Sequence, residues 1–259
     1  MAATGLNEPP DERSGAEASP SNATAVSGTV WLRDEPDRAR RAAPLTREQI
    51  VHTAVALLDQ SGAGGLTMRR LAQELEVTAT ALYWHVKTKD DVLDLAVDRV
   101  FAEVAIPEQT DEWRADVRTL ASRWREVMLA HPWAPALIGR PMLGPNVLAR
   151  TEFLQSSLAR SGLNERELTV RTRLLANFVI GSALTEATWH QASDPAMRTE
   201  ARDLIAADPE RYPTLTASGH LDEERWSDAD LFECGLDALL ADTGPTSPAA
   251  PPTHSTDEA

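Results

Sequence analysis

Apolar residues recur at helical spacing along most of the chain, and capping or turn residues separate one periodic segment from the next. The first apolar stripe comprises Ile50, Ala54, Leu57 and Leu58. It predicts a helix that begins after the N-cap residue Thr46 and ends at a cluster of glycines.

Three further helices follow at short intervals. Thr67, Thr78 and Thr88 each precede an apolar run and are predicted to be N-caps. The helices after Thr67 and Thr78 are short and joined by a tight turn. The helix after Thr88 carries Asp91 three residues on, which is a capping-box pattern, and is predicted to run to about Val104.

The rest of the chain continues as helices, with no segment typical of a strand. Longer helices are predicted near 111–130, 145–161, 165–191 and 227–241, with shorter ones near 134–139 and 196–207. We therefore expect an all-α protein. Residues 174–184 are apolar almost all round, so we expect a second protomer to help cover them.

Composition divides the chain into four parts. Residues 1–44 form an N-terminal extension and residues 242–259 form a tail, both predicted to be disordered because they lack apolar periodicity. Residues 45–92 and residues 93–241 form two helical parts, called the head and the body below. The cluster Arg38-Ala-Arg-Arg41 fits either an arm along DNA or an ordinary linker, and the sequence leaves both open.

The charge distribution leaves only one segment of the chain suited to binding nucleic acid. The chain has 25 Lys and Arg against 40 Asp and Glu, a net charge of −15. Residues 31–90 escape this excess, with nine basic residues against eight acidic ones. Lys87 and Lys89 in that segment are also the only lysines of the chain. An acidic remainder repels phosphate, so we expect the other end to face away from nucleic acid.

Candidate chemistry of other kinds is sparse. The single cysteine, Cys234, excludes an internal disulfide and is expected to be a small buried hydrophobic residue. No run of about 18 apolar residues predicts a membrane span, so we expect a cytoplasmic protein. His52, His131, His190 and His220 show no metal-ligand spacing with one another, and no nucleophile–base motif is present. We therefore expect neither an enzyme nor a bound metal or cofactor.

The strongest local signal is the segment from Gly65 to Asp91. Helix-turn-helix units place a small residue where their helices cross, a turn residue four positions later and an apolar anchor about ten positions on. Here these are Ala72, Glu76 and Leu82. The turn position favours a left-handed backbone, which costs a non-glycine residue roughly 1–2 kcal/mol.

These residues also carry a family resemblance. Gly65-Leu-Thr-x-Arg-x-Leu-Ala-Gln-x-Leu-x-Val, followed by Leu82-Tyr-Trp-His-Val-Lys-x-Lys89, resembles the tetracycline-repressor (TetR) family, and the DNA head looks most like the tetracycline repressors themselves. The resemblance is clear over about residues 46–101. It implies an all-α homodimer with a three-helix, helix-turn-helix DNA-binding domain, here residues 45–92, and a variable helical effector-binding and dimerisation domain, here residues 93–241. Most members of the family repress transcription and leave DNA when a small molecule enters the body.

The resemblance implies roles for residues of the head. Arg69 matches a base-contacting arginine, and its guanidinium suits the O6/N7 edge of guanine. Thr67, Tyr83 and Lys89 match phosphate-contacting positions, and His85 lies among the groove contacts. The full set of predicted DNA-binding residues is Thr67, Arg69, Ala79, Thr80, Ala81, Tyr83, Trp84, His85, Lys87 and Lys89.

The variable base readers of the family fall at Ala79, Thr80 and Ala81, so we expect an operator unlike that of the tetracycline repressors. Lys87 is a further plausible phosphate contact. Alternatives remain for three residues of the head. Tyr83 and Trp84 also fit a role as core aromatics, and Arg69 fits an ordinary surface charge.

For the body, the resemblance argues against a magnesium–tetracycline effector. Leu137 or Ile138 aligns with the family's metal-binding histidine, and Thr185 aligns with its glutamate, with Glu186 beside it. We expect instead a large, mainly apolar effector, such as a polyketide or macrolide-like natural product. Residues of the type that lines a drug-sized pocket, which equally fit a plain core, are Trp124, Met128, Met142, Phe153, Asn177 and Trp189.

The leading hypothesis is a ligand-responsive repressor. A homodimer would bind a palindromic double-stranded DNA operator and be released by a small-molecule effector, without any membrane partner. Dimerisation is expected from residues 165–191 and 227–241 packed as a four-helix bundle. The alternative is a constitutive DNA-binding regulator, or an activator, without a small-molecule switch.

Overall fold

The protein folds into helices throughout the part that the structure describes. The computed structural model describes residues 45–138, 143–191 and 196–241, and this part contains ten α-helices, one short 3-10 helix at Pro135–Leu137 and no strand. The α-helices are α1 (Arg47–Gly65), α2 (Met68–Glu74), α3 (Ala79–His85), α4 (Lys89–Phe101), α5 (Trp113–Ala130), α6 (Pro145–Ala159), α7 (Glu165–Gln191), α8 (Met197–Ala206), α9 (Pro213–Ser218) and α10 (Asp228–Leu240). The expected all-α fold is confirmed, whereas the sequence did not predict α9.

Side-chain caps set the starts of the four head helices. Thr46, Thr67, Thr78 and Thr88 each accept a hydrogen bond from the backbone N–H three residues on, as predicted. The glycine cluster acts differently from the expected stop. Gly62 has φ +63°, which breaks the helical geometry of α1, but helical turns resume and continue to Gly65.

Helix α4 joins the head to the body and is buried on most of its surface. It ends at Phe101, three residues before the predicted end. Two hydrophobic clusters meet at α5, where Trp124 and Val127 pack against both. The first cluster crosses from head to body and includes Ile50, Leu71, Leu82, Val97, Phe101, Met128 and Ala183. The second cluster lies within the body and includes Val104, Leu120, Leu154, Leu158, Leu175, Val179, Phe232 and Leu236.

Polar ties fasten α4 to α6 at both ends of their contact. Asp98 accepts hydrogen bonds from the backbone N–H groups of Asn146 and Val147, both at 3.0 Å, so it caps α6 from a neighbouring helix. In return, Arg150 donates to the carbonyl of Ala102 at 3.0 Å and that of Val104 at 2.9 Å. Each helix therefore satisfies free backbone groups at an end of the other.

Helices α7 and α10 pack through stacked aromatic rings. The rings of Phe178 and Phe232 lie 5.4 Å apart, and Gly235 leaves room for Phe178 where any Cβ would collide. Cys234 points the other way and is exposed. Our expectation that it is buried is wrong, because its position on α10 falls outside the Phe232–Leu236–Leu240 stripe. Within the described residues, no helix is both long and apolar enough to cross a membrane.

Candidate DNA interface and effector domain

The exposed side of α3 carries two aromatic side chains. Tyr83 is 44% exposed and Trp84 is 64% exposed, whereas Leu82, which directly precedes them, is fully buried and anchors the helix. A core role for Trp84 is therefore excluded within this fold. Ala79 and Thr80 are also exposed, and Ala81 and His85 are half-buried. The structure thus brings the predicted base readers and the aromatic edge onto one short helix.

Two adjacent arginines at the start of α2 have different surroundings. Arg70 turns back to the end of α1, donating to Ser61 Oγ at 2.9 Å and to the Gly65 carbonyl at 3.3 Å. Arg69 is exposed, beside the exposed cap residue Thr67. Arg70 therefore ties α2 to α1, whereas the exposed Arg69 is accessible to a binding partner such as DNA.

The turn between α2 and α3 has the backbone that the spacing predicted. Glu76 has φ +54°, in the left-handed region that favours glycine. Its N–H donates to the Gln73 carbonyl at 3.1 Å, and Val77 donates to the Ala72 carbonyl at 3.0 Å. Ala72 is 5% exposed, so a larger side chain has no room where the helices cross.

The two lysines differ in the same way as the two arginines. Lys87 is exposed, and its ammonium donates to the Tyr83 carbonyl at 3.1 Å. Lys89 is half-buried, and its ammonium donates to the Ala63 carbonyl near the end of α1 at 2.7 Å. A phosphate must compete with that carbonyl for Lys89. Sequence reasoning missed this tie because it joins residues 26 positions apart.

The candidate effector residues of the body do not form one group. Trp124 lies against both hydrophobic clusters, with its ring 5.3 Å from that of Phe101 on α4, and Met128 one turn on is fully buried. The indole N–H of Trp124 is buried and has no hydrogen-bond acceptor among the described residues. These two residues stand where α4 meets α5, so a ligand there would touch the helix that joins head and body.

The remaining candidates lie elsewhere. Phe153 packs on the second hydrophobic cluster, and Asn177 is exposed on α7. Trp189 lies near the end of α7, with its ring 5.4 Å from the guanidinium of Arg198. Met142 lies outside the described residues.

Carboxylates and arginines form a charged network near the end of α7, which sequence reasoning missed. Glu186, His190 and Asp228 have potential ligand atoms within 4.8 Å of one another. However, Arg125 pairs with Glu186, and Arg198 pairs with Asp228 at 2.9 Å. The hydrogen bond from Arg198 lowers the pKa of Asp228 despite its partial burial. Since both carboxylates already have cationic partners, this arrangement is that of an ion-pair network rather than a metal site.

Helix α3 is short, carries exposed aromatic and polar side chains, and packs across α2 in a three-helix head. This arrangement defines a helix-turn-helix DNA-binding protein, and the helical body that follows makes it a two-domain regulator. The family models agree with this class. The model for tetR-family bacterial regulatory proteins matches residues 50–96, and that for the tetracyclin repressor-like C-terminal domain matches residues 106–242. The chain belongs to the TetR family of transcription regulators.

Individual relatives support the same assignment. An HTH-type transcriptional regulator of Saccharopolyspora erythraea is 40% identical over 229 residues, which cover 87% of this chain and 95% of the relative. The HTH-type transcriptional repressor DrrR1 of Streptomyces coeruleorubidus is 30% identical and matches 76% of each chain. Tetracycline repressors are among the other relatives.

A solved structure shows the same fold. The TetR family protein ActR of Streptomyces coelicolor, in complex with actinorhodin, superposes with a TM-score of 0.66 at 31% identity. The match covers 76% of this chain and 94% of ActR. A TetR family protein of this fold has therefore been observed in complex with a small molecule.

Proposed function

We propose that this protein is a transcriptional repressor that binds a two-fold symmetric operator as a homodimer and leaves it when a small-molecule effector binds the body. The observation that carries the proposal is the exposed face of the head. Tyr83, Trp84 and Arg69 are solvent-exposed on a rigid, capped helix pair, although large aromatics are normally packed inside.

The roles on DNA divide by side-chain chemistry. Arg69 offers a planar pair of donors to the O6/N7 edge of guanine, and Ala79 and Ala81 offer methyl contacts to thymine. Thr67, Tyr83 and Lys87 supply hydroxyl and ammonium groups for phosphates, which position the head without reading sequence. His85 lies at the end of α3 among the same groove contacts.

The dimer is proposed to form through the outer faces of α7 and α10. Large apolar side chains are exposed there in the single protomer: Val170 (49%), Leu174 (49%), Leu184 (38%) and Leu231 (50%). Two such pairs, packed as a four-helix bundle, would bury these residues and place two heads on one side of the dimer. Leu174→Asp combined with Leu231→Asp is then expected to yield a monomer by analytical ultracentrifugation.

The effector is proposed to be a large, mainly apolar molecule with a hydrogen-bond acceptor. The support is the buried, unpartnered indole N–H of Trp124 beside Phe101 and Met128, together with the actinorhodin that ActR holds. A ligand at Trp124 would contact α4 directly. It can displace the head if it binds more tightly to the conformation that does not fit DNA.

The first test selects an operator from a random DNA library with the full-length protein. A palindromic site with two half-sites is expected, and Arg69→Ala with Tyr83→Ala should weaken binding at least a hundredfold. Arg202→Ala is the matched control, because Arg202 lies on α8, far along the chain from the head, and its side chain is 41% exposed. An operator without symmetry, or one bound equally well by the double variant, would contradict the proposal.

The second test adds ligand to the protein–operator complex. Actinorhodin is the probe, tetracycline with Mg²⁺ is the comparison, and operator release is followed by fluorescence anisotropy. Release by actinorhodin, reduced by Trp124→Phe, is expected. Thermal stabilisation without release favours a regulator that binds ligands but does not switch on them. Neither effect with a panel of polyketides favours the alternative, a constitutive regulator.

A further inference from the structure

One histidine joins the DNA head to the body. His131 directly follows α5, and its ring lies between two carboxylates from other elements. Nδ1 is 2.7 Å from Asp59 Oδ1, on α1 of the head, and Nε2 is 3.2 Å from Glu103 Oε2, just beyond the end of α4. The His131 side chain is only 12% exposed, whereas those of Asp59 and Glu103 are 36% and 41% exposed, so water screens these contacts in part.

The geometry fixes the protonation state that suits the contact. A carboxylate oxygen is only an acceptor, and a neutral imidazole has a single N–H. A neutral His131 would therefore set a nitrogen lone pair against one of the two carboxylates. The imidazolium donates to both. Burial lowers the pKa of His131, but the hydrogen bonds and negative charges of Asp59 and Glu103 outweigh it and raise the pKa above its usual 6.5.

Neighbouring groups hold both carboxylates in place. The indole N–H of Trp133 donates to Asp59 Oδ1 at 2.6 Å, and the Trp133 ring meets the His131 ring edge-on with centroids 6.1 Å apart. Arg99 on α4 lies 3.6 Å from Glu103. Among the described residues, the charged groups set against the ring are Asp59 from α1 and Glu103 after α4, and Arg99 stands behind Glu103.

We propose that His131 is a positioning residue for operator binding: as an imidazolium it ties α1 of the head to the body, and losing its proton loosens the head and weakens DNA binding. The inference rests on the proposed function. The tie contributes fully below the usual pKa of 6.5 and is lost as the pH rises through the raised native value. Operator affinity is therefore expected to fall with rising pH.

The first measurement needs no DNA. Thermal unfolding is followed from pH 6 to pH 9 for the full chain and for His131→Gln, Asp59→Asn and the double variant. Asp59→Asn removes the charge but keeps an oxygen for Trp133. At pH 6, His131→Gln is expected to lower the Tm by about 3 °C, with most of that loss absent in the Asp59→Asn background and at pH 9. His52→Gln, an exposed change on α1, is the control and should leave the Tm unchanged.

The second measurement uses the operator selected from the random library at pH 6.5. Between pH 6.5 and 8.5, the operator affinity of the wild type is expected to fall about fivefold to tenfold more than that of His131→Gln. His52→Gln should follow the wild type, and any pH dependence that arises elsewhere in the protein or in the DNA is common to all three proteins. Equal pH dependence in wild type and His131→Gln would overturn the proposal, as would equal Tm losses at pH 6 and pH 9. If no operator is recovered, the proposed function fails, while the Tm cycle still tests the tie.

Discussion

The head and the body bury different kinds of residue. Between residues 45 and 90 every buried side chain is hydrophobic, and the polar groups act at helix ends as caps. From α4 onward, Asp91, Asp98, Asp116, Ser157 and Glu186 are buried as well, and hydrogen bonds or arginines compensate the four carboxylates. Close apolar packing favours a single arrangement of the helices. Hydrogen bonds and ion pairs between helices can be exchanged, so they suit a domain that adopts more than one arrangement.

This difference fits the proposed division of labour. A DNA-reading surface must keep its side chains in register, so a small apolar core beneath α3 is useful. A body that responds to a ligand must let α4 shift against its neighbours. The ties of α4 run to α6 through Asp98 and Arg150, and residues at its end also meet α5 and the head.

The largest expected loss of stability comes from a substitution in the apolar core of the head. Leu82→Ala removes a fully buried anchor of α3 and should lower the free energy of unfolding by about 3 kcal/mol. Urea denaturation by circular dichroism measures it. Leu204→Ala is the control, since Leu204 is 71% exposed and should change stability little. If both variants lose the same stability, the head core is not what holds α3.

In the body, the stability contributed by the buried carboxylate of Asp116 should depend on pH. Asp116 accepts hydrogen bonds from Thr110, at 2.7 Å from the hydroxyl, and from Arg160. Burial raises its pKa, but these bonds and the charge of Arg160 outweigh it and bring the pKa below the usual 3.8. The stabilisation is present above pH 3.8 and is lost as the pH falls through the lower native pKa.

Asp116→Asn should therefore lower the free energy of unfolding by about 2 kcal/mol at pH 7, and by less below pH 3.8. Urea denaturation between pH 2 and pH 7 checks both statements. Asp111→Asn removes an exposed charge from the same connection and serves as the control. A deficit that does not shrink in acid would show that Asp116 contributes by shape rather than by charge.

The two lysines give a comparison within the head. Lys89→Met removes a charged donor from the Ala63 carbonyl and should lower the free energy of unfolding by about 1.5 kcal/mol. Lys87→Met should leave stability nearly unchanged, but reduce the slope of log affinity against log salt by about one. Urea denaturation and operator titration at several salt concentrations separate them. If Lys89→Met leaves stability unchanged, the hydrogen bond to Ala63 does not stabilise the head, and Lys89 would act only as a phosphate contact.

The same contrast explains what the sequence could predict. Local rules determine the head, so the Thr caps, the Ala72 crossing and the Leu82 anchor were recognised from spacing alone, and long helices such as α7 were placed within two residues. The ties of the body join distant residues. Arg125 reaches Glu186 over 61 positions and His131 reaches Asp59 over 72, and no periodicity predicts such pairs. Exposure of Cys234 depended on which face of α10 meets α7.

The smallest expected effect is a gain in stability at the turn of the head. Glu76 holds φ +54°, a conformation that costs a side-chain-bearing residue about 1–2 kcal/mol. Glycine adopts it freely but loses more backbone entropy on folding, so Glu76→Gly should raise the free energy of unfolding by about 0.5–1 kcal/mol. Glu74→Gly, two residues earlier in helical backbone, should lower it by a similar amount. Opposite signs in urea denaturation would show that backbone strain, not the loss of an acidic side chain, sets the difference. If Glu76→Gly also destabilises, the glutamate makes a contribution that outweighs its strained backbone.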